Sequence, residues 1–209
     1  MGNNQTKNPD PMVLGSGEYF FEDEYAVIDI ETSGLDPTQD EIIEIGAVII
    51  RDGEILDRFH TFVKAERSLQ PWIIKLTGIT DEMLRDAPNR ATALEMFLRF
   101  WGDRPIVVSH AKFTLRFLQE NVQQLRDSWE PTCIDVLGIA RELFPRMKSH
   151  TLVNIARQVG VPVPDEKRPL DCAEVCAKVL ACFFEEFRKK GIHSLQAIRK
   201  YEGEIACEQ

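Results

Sequence analysis

The chain has 209 residues, 44% hydrophobic and 28% charged, enough for one domain around a sizeable core. No apolar run reaches the roughly 20 residues of a membrane span, and the N-terminus lacks a secretory pattern, so a cytoplasmic protein without membrane contact is expected. Lys and Arg total 25 against 34 Asp and Glu, a net charge of -9, which argues against a general duplex-DNA binder but allows a local basic rim at a nucleic-acid end.

Residues 1–22 are rich in Asn, Gly, Pro and acidic side chains and read as a flexible tail. Tyr25 to Glu31 is mostly apolar and predicts a central strand buried on both faces. Gly34, Pro37 and Asp40 mark a turn. Ile42 to Ile50 and Ile55 to Val63 predict two more strands. Between them Arg51-Asp52-Gly53-Glu54 carries the Asp-Gly signal of a tight hairpin.

The pattern then changes to helical spacing. Short helices are expected from Pro71 and over Asp81 to Arg85. A longer one carries Ala91, Leu94, Phe97, Leu98 and Trp101 on one face. Strands over Pro105–Ser109 and Thr132–Asp135 alternate with helices over Phe113–Gln124, Val136–Phe144 and Thr151–Val159. A long helix from Leu170 to Lys190 has the apolar stripe Ala173, Cys176, Leu180, Phe183, Phe184 and Phe187. The order predicts an α/β protein with a five-stranded mixed sheet flanked by helices. Its domain is expected over residues 23–190, with a C-terminal helical extension over 191–209.

Asp29 and Glu31 stand two apart on the first strand, so their side chains share one face. Two carboxylates in apolar surroundings repel each other and resist desolvation. Such a pair needs a cation, and a hard divalent metal with oxygen ligands is the natural one. Five cysteines, Cys133, Cys172, Cys176, Cys182 and Cys207, form no CxxC pair. They read as small apolar core residues rather than as a disulfide framework.

The run Asp29-Ile30-Glu31-Thr32-Ser33-Gly34-Leu35, with Glu41-Ile42-Ile43-Glu44-Ile45-Gly46-Ala47-Val48, resembles the first motif of the DEDD 3′–5′ exonucleases. The likeness is to the DEDDh-type proofreading branch of the polymerase III epsilon kind. Leu76-Thr77-Gly78-Ile79-Thr80, Ser109 to Leu118, Lys148-Ser149-His150-Thr151-Leu152 and Leu170-Asp171-Cys172-Ala173-Glu174 resemble later segments in order. The resemblance implies an RNase H-like fold and a site where four carboxylates hold two Mg or Mn ions and a histidine activates water.

Carried over residue by residue, Asp29 and Glu31 match the first two carboxylates and are the implied metal ligands. The second-motif carboxylate falls on Thr114, the last on Cys172 and the histidine on Lys167. Thr offers a neutral hydroxyl and Cys a soft sulfur. Lys, with an ordinary pKa of about 10.4, is a poor general base. A Lys167 ammonium could instead neutralise the pair, so the cofactor expectation is Mg or Mn, or no metal. Asp171 is read as a surface residue and Asp135 as a helix cap. His110 and His150 are read as packing or capping residues. Thr32, Gly34, Leu35, His110 and Phe113 are the implied nucleic-acid contacts. Two readings stay open. One is an exonuclease-family protein with weak or no hydrolysis of single-stranded 3′ ends. The other is a catalytically inactive module that binds nucleic acid or a protein partner.

Overall fold

The computed structural model describes residues 12–13, 18–123, 125, 129–165 and 168–198. Strands β1 (Met12–Val13), β2 (Tyr25–Thr32), β3 (Ile42–Arg51), β4 (Glu54–Phe62), β5 (Ile106–Val108) and β6 (Cys133–Asp135) form one sheet in the order β1-β6-β5-β2-β3-β4. The expected five-stranded mixed sheet is β2 to β6. The two-residue β1 extends it by pairing antiparallel with β6. Helices are α1 (Pro71–Thr77), α2 (Asp81–Leu84), α3 (Arg90–Trp101), α4 (Ala111–Val122), α5 (Val136–Leu143), α6 (Leu152–Gln158) and α7 (Pro169–Lys189).

The β3–β4 hairpin closes on Asp52 and Gly53, both at positive φ (51° and 80°), the geometry that Asp-Gly favours. Strand β2 is antiparallel to β3 and parallel to β5, so the sheet changes direction at its centre. The alternation of β2 splits the core. Tyr25 and Val27 pack with α5, α6 and α7, while Ala26, Ile28 and Ile30 pack with α3 and α4. Asp29 and Glu31 have the parity of Tyr25 and Val27, so they continue the α7 face at the C-terminal end of β2. Among the described residues no helix is long and apolar enough to cross a membrane.

The ends of the domain differ from expectation. The tail expected through residue 22 is packed from at least Tyr19 onward. The Phe21 ring stacks on Phe184 at 4.1 Å, its backbone N–H donates to His193 O at 3.1 Å, and Leu195 N–H donates to Tyr19 O at 3.0 Å. Leu195 and Ile198 enter the same core, so residues of the expected C-terminal extension complete it. Burying one phenylalanine contributes about 1.5–3 kcal/mol, enough to hold a segment that has no periodic pattern of its own. Residues 199–209, including Cys207, lie outside the described residues.

Candidate active site

Register places the candidate residues in rows. Asp29 of β2 stands opposite Gly46 of β3, which stands opposite His60 of β4. In the next row Glu31 faces Glu44, and Glu44 faces Phe62. Helix α7 begins over this surface. Pro169 supplies the preset φ of a first helical residue, and the Asp171 carboxylate accepts from Arg168 N–H at 3.3 Å. Asp171 therefore caps its own helix rather than joining the carboxylate pair. A Cβ on Gly46 would collide with the backbone of Pro169 and Leu170, so only glycine lets α7 approach the sheet here. Gly46→Ala is expected to cost about 1–3 kcal/mol in chemical denaturation, because the first turn of α7 must lift off. An unchanged midpoint would show that α7 does not rest on this row.

The lowered first turn brings the Cys172 thiol beside the Asp29 carboxyl. Burial pushes the Asp29 carboxyl up to about 7, with the Glu31 charge adding to the rise and the thiol opposing it. Burial also pushes Glu31 up to about 7, with Glu44 adding and the Arg168 guanidinium opposing. The Cys172 thiol is pushed up to about 12 by burial and by the Asp29 charge. On its other side the thiol borders a cavity of about 210 Å³, walled in part by Leu152, Val163 and Val175. This cysteine is a protonated donor, not a thiolate.

A second cluster adjoins the pair and was not singled out in the sequence. Glu44 is fully buried, and its carboxylate accepts from Arg168 Nη2 at 2.6 Å and lies 2.6 Å from His60 Nε2. Arg168 also donates to Thr77 O at 3.3 Å and lies over the Phe62 ring at 5.2 Å. One guanidinium thus joins β3, β4, the end of α1 and the start of α7. A signal existed, because a glutamate inside the apolar run Ile42–Ile50 cannot be buried without a cationic partner. Lys167, the expected counter-ion, lies outside the described residues; its neighbour Arg168 is a cation acting on Glu31.

The other candidates divide. Thr114 is buried in the first turns of α4, and among the described residues no hydrogen bond links it to Asp29 or Glu31. Thr32 is turned into its own loop, its hydroxyl donating to Gly34 O at 2.6 Å. Gly34 sits against the Asp40 carboxylate, where a Cβ would collide. Leu35 is 72% exposed. His110 precedes α4 with its ring edge-on to the half-buried Phe113, 6.3 Å away. His150 bonds Phe144 O through Nε2 at 3.0 Å, and Asp135 caps α5 by accepting from Leu137 N–H at 3.0 Å. Neither histidine stands beside the carboxylate pair by any described bond. Cys133 and Cys176 are buried thiols, as expected of core residues.

The exonuclease family model RNase_T matches residues 26–180. DNA polymerase III PolC-type of Thermotoga petrophila is 38% identical over 182 residues, covering 87% of this chain and 13% of that protein. The PolC-type polymerase of Clostridium perfringens is 33% identical over 194 residues, covering 92% and 13%. The chain therefore spans a small part of these relatives. Among solved structures, exonuclease X in complex with 5′ overhanging duplex DNA superposes with a TM-score of 0.64 at 23% identity, over 78% of this chain and 92% of that one. The nuclease domain of 3′hExo, a DEDDh family member bound to rAMP, gives 0.67 at 20% identity, over 79% and 94%. These structures share the fold. With a family model over most of its length and polymerase relatives above 30% identity, the chain belongs to the DEDD 3′–5′ exonuclease family and resembles the proofreading domain of DNA polymerase III.

Proposed function

We propose that this chain engages single-stranded nucleic-acid 3′ ends through its exonuclease fold while hydrolysing them weakly or not at all. The observation that carries the reading is the thiol of Cys172 beside Asp29, at the position where the family resemblance calls for a metal-binding carboxylate. Asp29 and Glu31 are hard oxygen donors suited to Mg or Mn. A protonated thiol and the Thr114 hydroxyl are not equivalents of the two missing anions. Among the described residues no group of three or more His, Cys, Asp or Glu side chains is placed to hold a metal ion. This donor set does not fit a pair of Mg or Mn ions, and no hydrolytic step is derived through them.

The test is trimming of a 5′-labelled single-stranded oligonucleotide in Mn²⁺. The wild-type chain is expected to give at most a trace of product over Asp29→Ala. Installing Thr114→Asp, Lys167→His and Cys172→Asp together is expected to create Mn²⁺-dependent trimming. Wild-type trimming as fast as that of the triple variant, and abolished by Asp29→Ala, would overturn the reading.

A further inference from the structure

We infer that the cavity bordered by Cys172 is a second binding site, one that takes a small uncharged molecule with a single aromatic ring and does so independently of any strand in the cleft. The cavity has a volume of about 210 Å³, and neither Asp29 nor Glu31 lines it. Protein interiors hold few voids larger than a water molecule, so an unfilled space of this size needs a reason. For scale, an apolar cavity of about 150 Å³ stays dry and admits benzene. The space here has room for a ring carrying one small substituent.

Its placement suits a ligand. Ser109 directly follows β5, Leu152 opens α6 and Cys172 lies in the first turn of α7. The cavity thus stands at the carboxyl end of a parallel strand, where α/β sheets place their ligand crevices. Leu152 and Val163 are half-buried while Thr151 and Pro164 are exposed, so it has a mouth to solvent.

The walls select the chemistry. Leu152, Val153, Val163 and Val175 give it apolar sides that offer water few partners. Asp171 is the one charged wall residue among those described, and its carboxylate is engaged with Arg168 N–H at 3.3 Å. No described cation lines the space to hold an anion, and a cation would exchange its water for valine and leucine. Thr151 is committed to α6, its hydroxyl accepting from Asn154 N–H at 3.4 Å. That leaves the Ser109 hydroxyl, which has no hydrogen-bond partner among the described residues, and the Cys172 thiol as donors to the occupant. Apolar walls with two neutral donors suit a ring bearing one neutral acceptor, such as an amide carbonyl.

The experiment titrates the full chain, methyl-labelled at valine and leucine, with benzamide and with benzoate in EDTA and follows the methyl NMR spectrum. Benzamide is expected to shift the Val153, Val163 and Val175 methyls saturably, with a Kd of about 1 mM. Benzoate, nearly the same shape but charged, is expected to bind at least about 10-fold more weakly. Val163→Phe and, separately, Val153→Phe place a ring in the space from half-buried positions, and each is expected to weaken benzamide at least about 10-fold. A thymidine 12-mer is expected to leave bound benzamide in place. Absence of saturable benzamide shifts overturns the inference, as does benzoate binding equal to benzamide. Unchanged benzamide affinity in both filled variants, with their methyl spectra showing a folded chain, overturns it too. Displacement of benzamide by the 12-mer would give the cavity to the strand and overturn an independent site. Failure of the 12-mer to bind the chain at all overturns the nucleic-acid reading of the cleft and leaves this site standing on its benzamide titration.

Discussion

Replacing Arg168 by alanine is expected to lower the unfolding free energy by about 3–5 kcal/mol, the largest effect of any single change in the site. The reason is the partner left behind. Glu44 has no exposure to water, and without the guanidinium its carboxylate keeps only His60 among the described residues. The same change frees Thr77 O and uncovers the Phe62 ring, so the end of α1, β4 and the start of α7 lose their common tie. Arg168→Lys is expected to recover only part of the loss, because one ammonium cannot bind the carboxylate, reach the Thr77 carbonyl and lie flat on the ring together. Removing both charges, with Glu44→Gln and Arg168→Met, is expected to cost less than Arg168→Ala alone. Urea denaturation of the four proteins checks this. Equal midpoints for wild type and Arg168→Ala would show that Glu44 finds its balance elsewhere.

The second large effect has the opposite sign. Asp29→Asn is expected to stabilise the chain by about 2–4 kcal/mol at pH 8.5. Burial and the Glu31 charge raise the Asp29 carboxyl from an ordinary 3.8 to about 7. A carboxyl raised in the folded state binds its proton more tightly there than in the unfolded chain. Its ionisation therefore subtracts stability, fully above about pH 7, progressively less as pH falls from 7 toward 4, and not at all below that. Asparagine removes the charge and keeps an oxygen for the Cys172 thiol. The gain should shrink steadily toward pH 4 in paired thermal melts. A gain that stays constant with pH would mean that packing, not charge, decides it.

Strong periodic features carried directly from sequence to fold. The apolar run Tyr25–Glu31, the Asp-Gly turn at 52–53 and the apolar stripe of the 170–190 helix are each local patterns, and those elements form where expected. The pairing of Asp29 with Glu31 was likewise legible, because strand parity is a local property. What was not legible depends on partners far apart in the chain. Arg168 meets Glu44 across 124 positions, and no spacing rule links them. Phe21 and Leu195 lie in short stretches without periodicity, and their place is set by a gap beside Phe184 that exists only after the helices pack. Gly46 was visible as a residue, but its reason is the approach of α7, a tertiary fact.

Two carboxylates stand at the end of β2, with a thiol rather than a third carboxylate beside them and an arginine clamp behind them. Carboxyls held protonated by burial and by each other's charge are groups that a bound cation would ionise, so direct metal titration is the most pointed measurement. Calorimetry with Mn²⁺ at pH 7.5 is expected to show no pair of tight sites in the wild-type chain. Cys172→Asp with Thr114→Asp should introduce Mn²⁺ binding that Asp29→Ala removes. Two tight Mn²⁺ sites in the wild-type chain, lost in Asp29→Ala, would contradict the account.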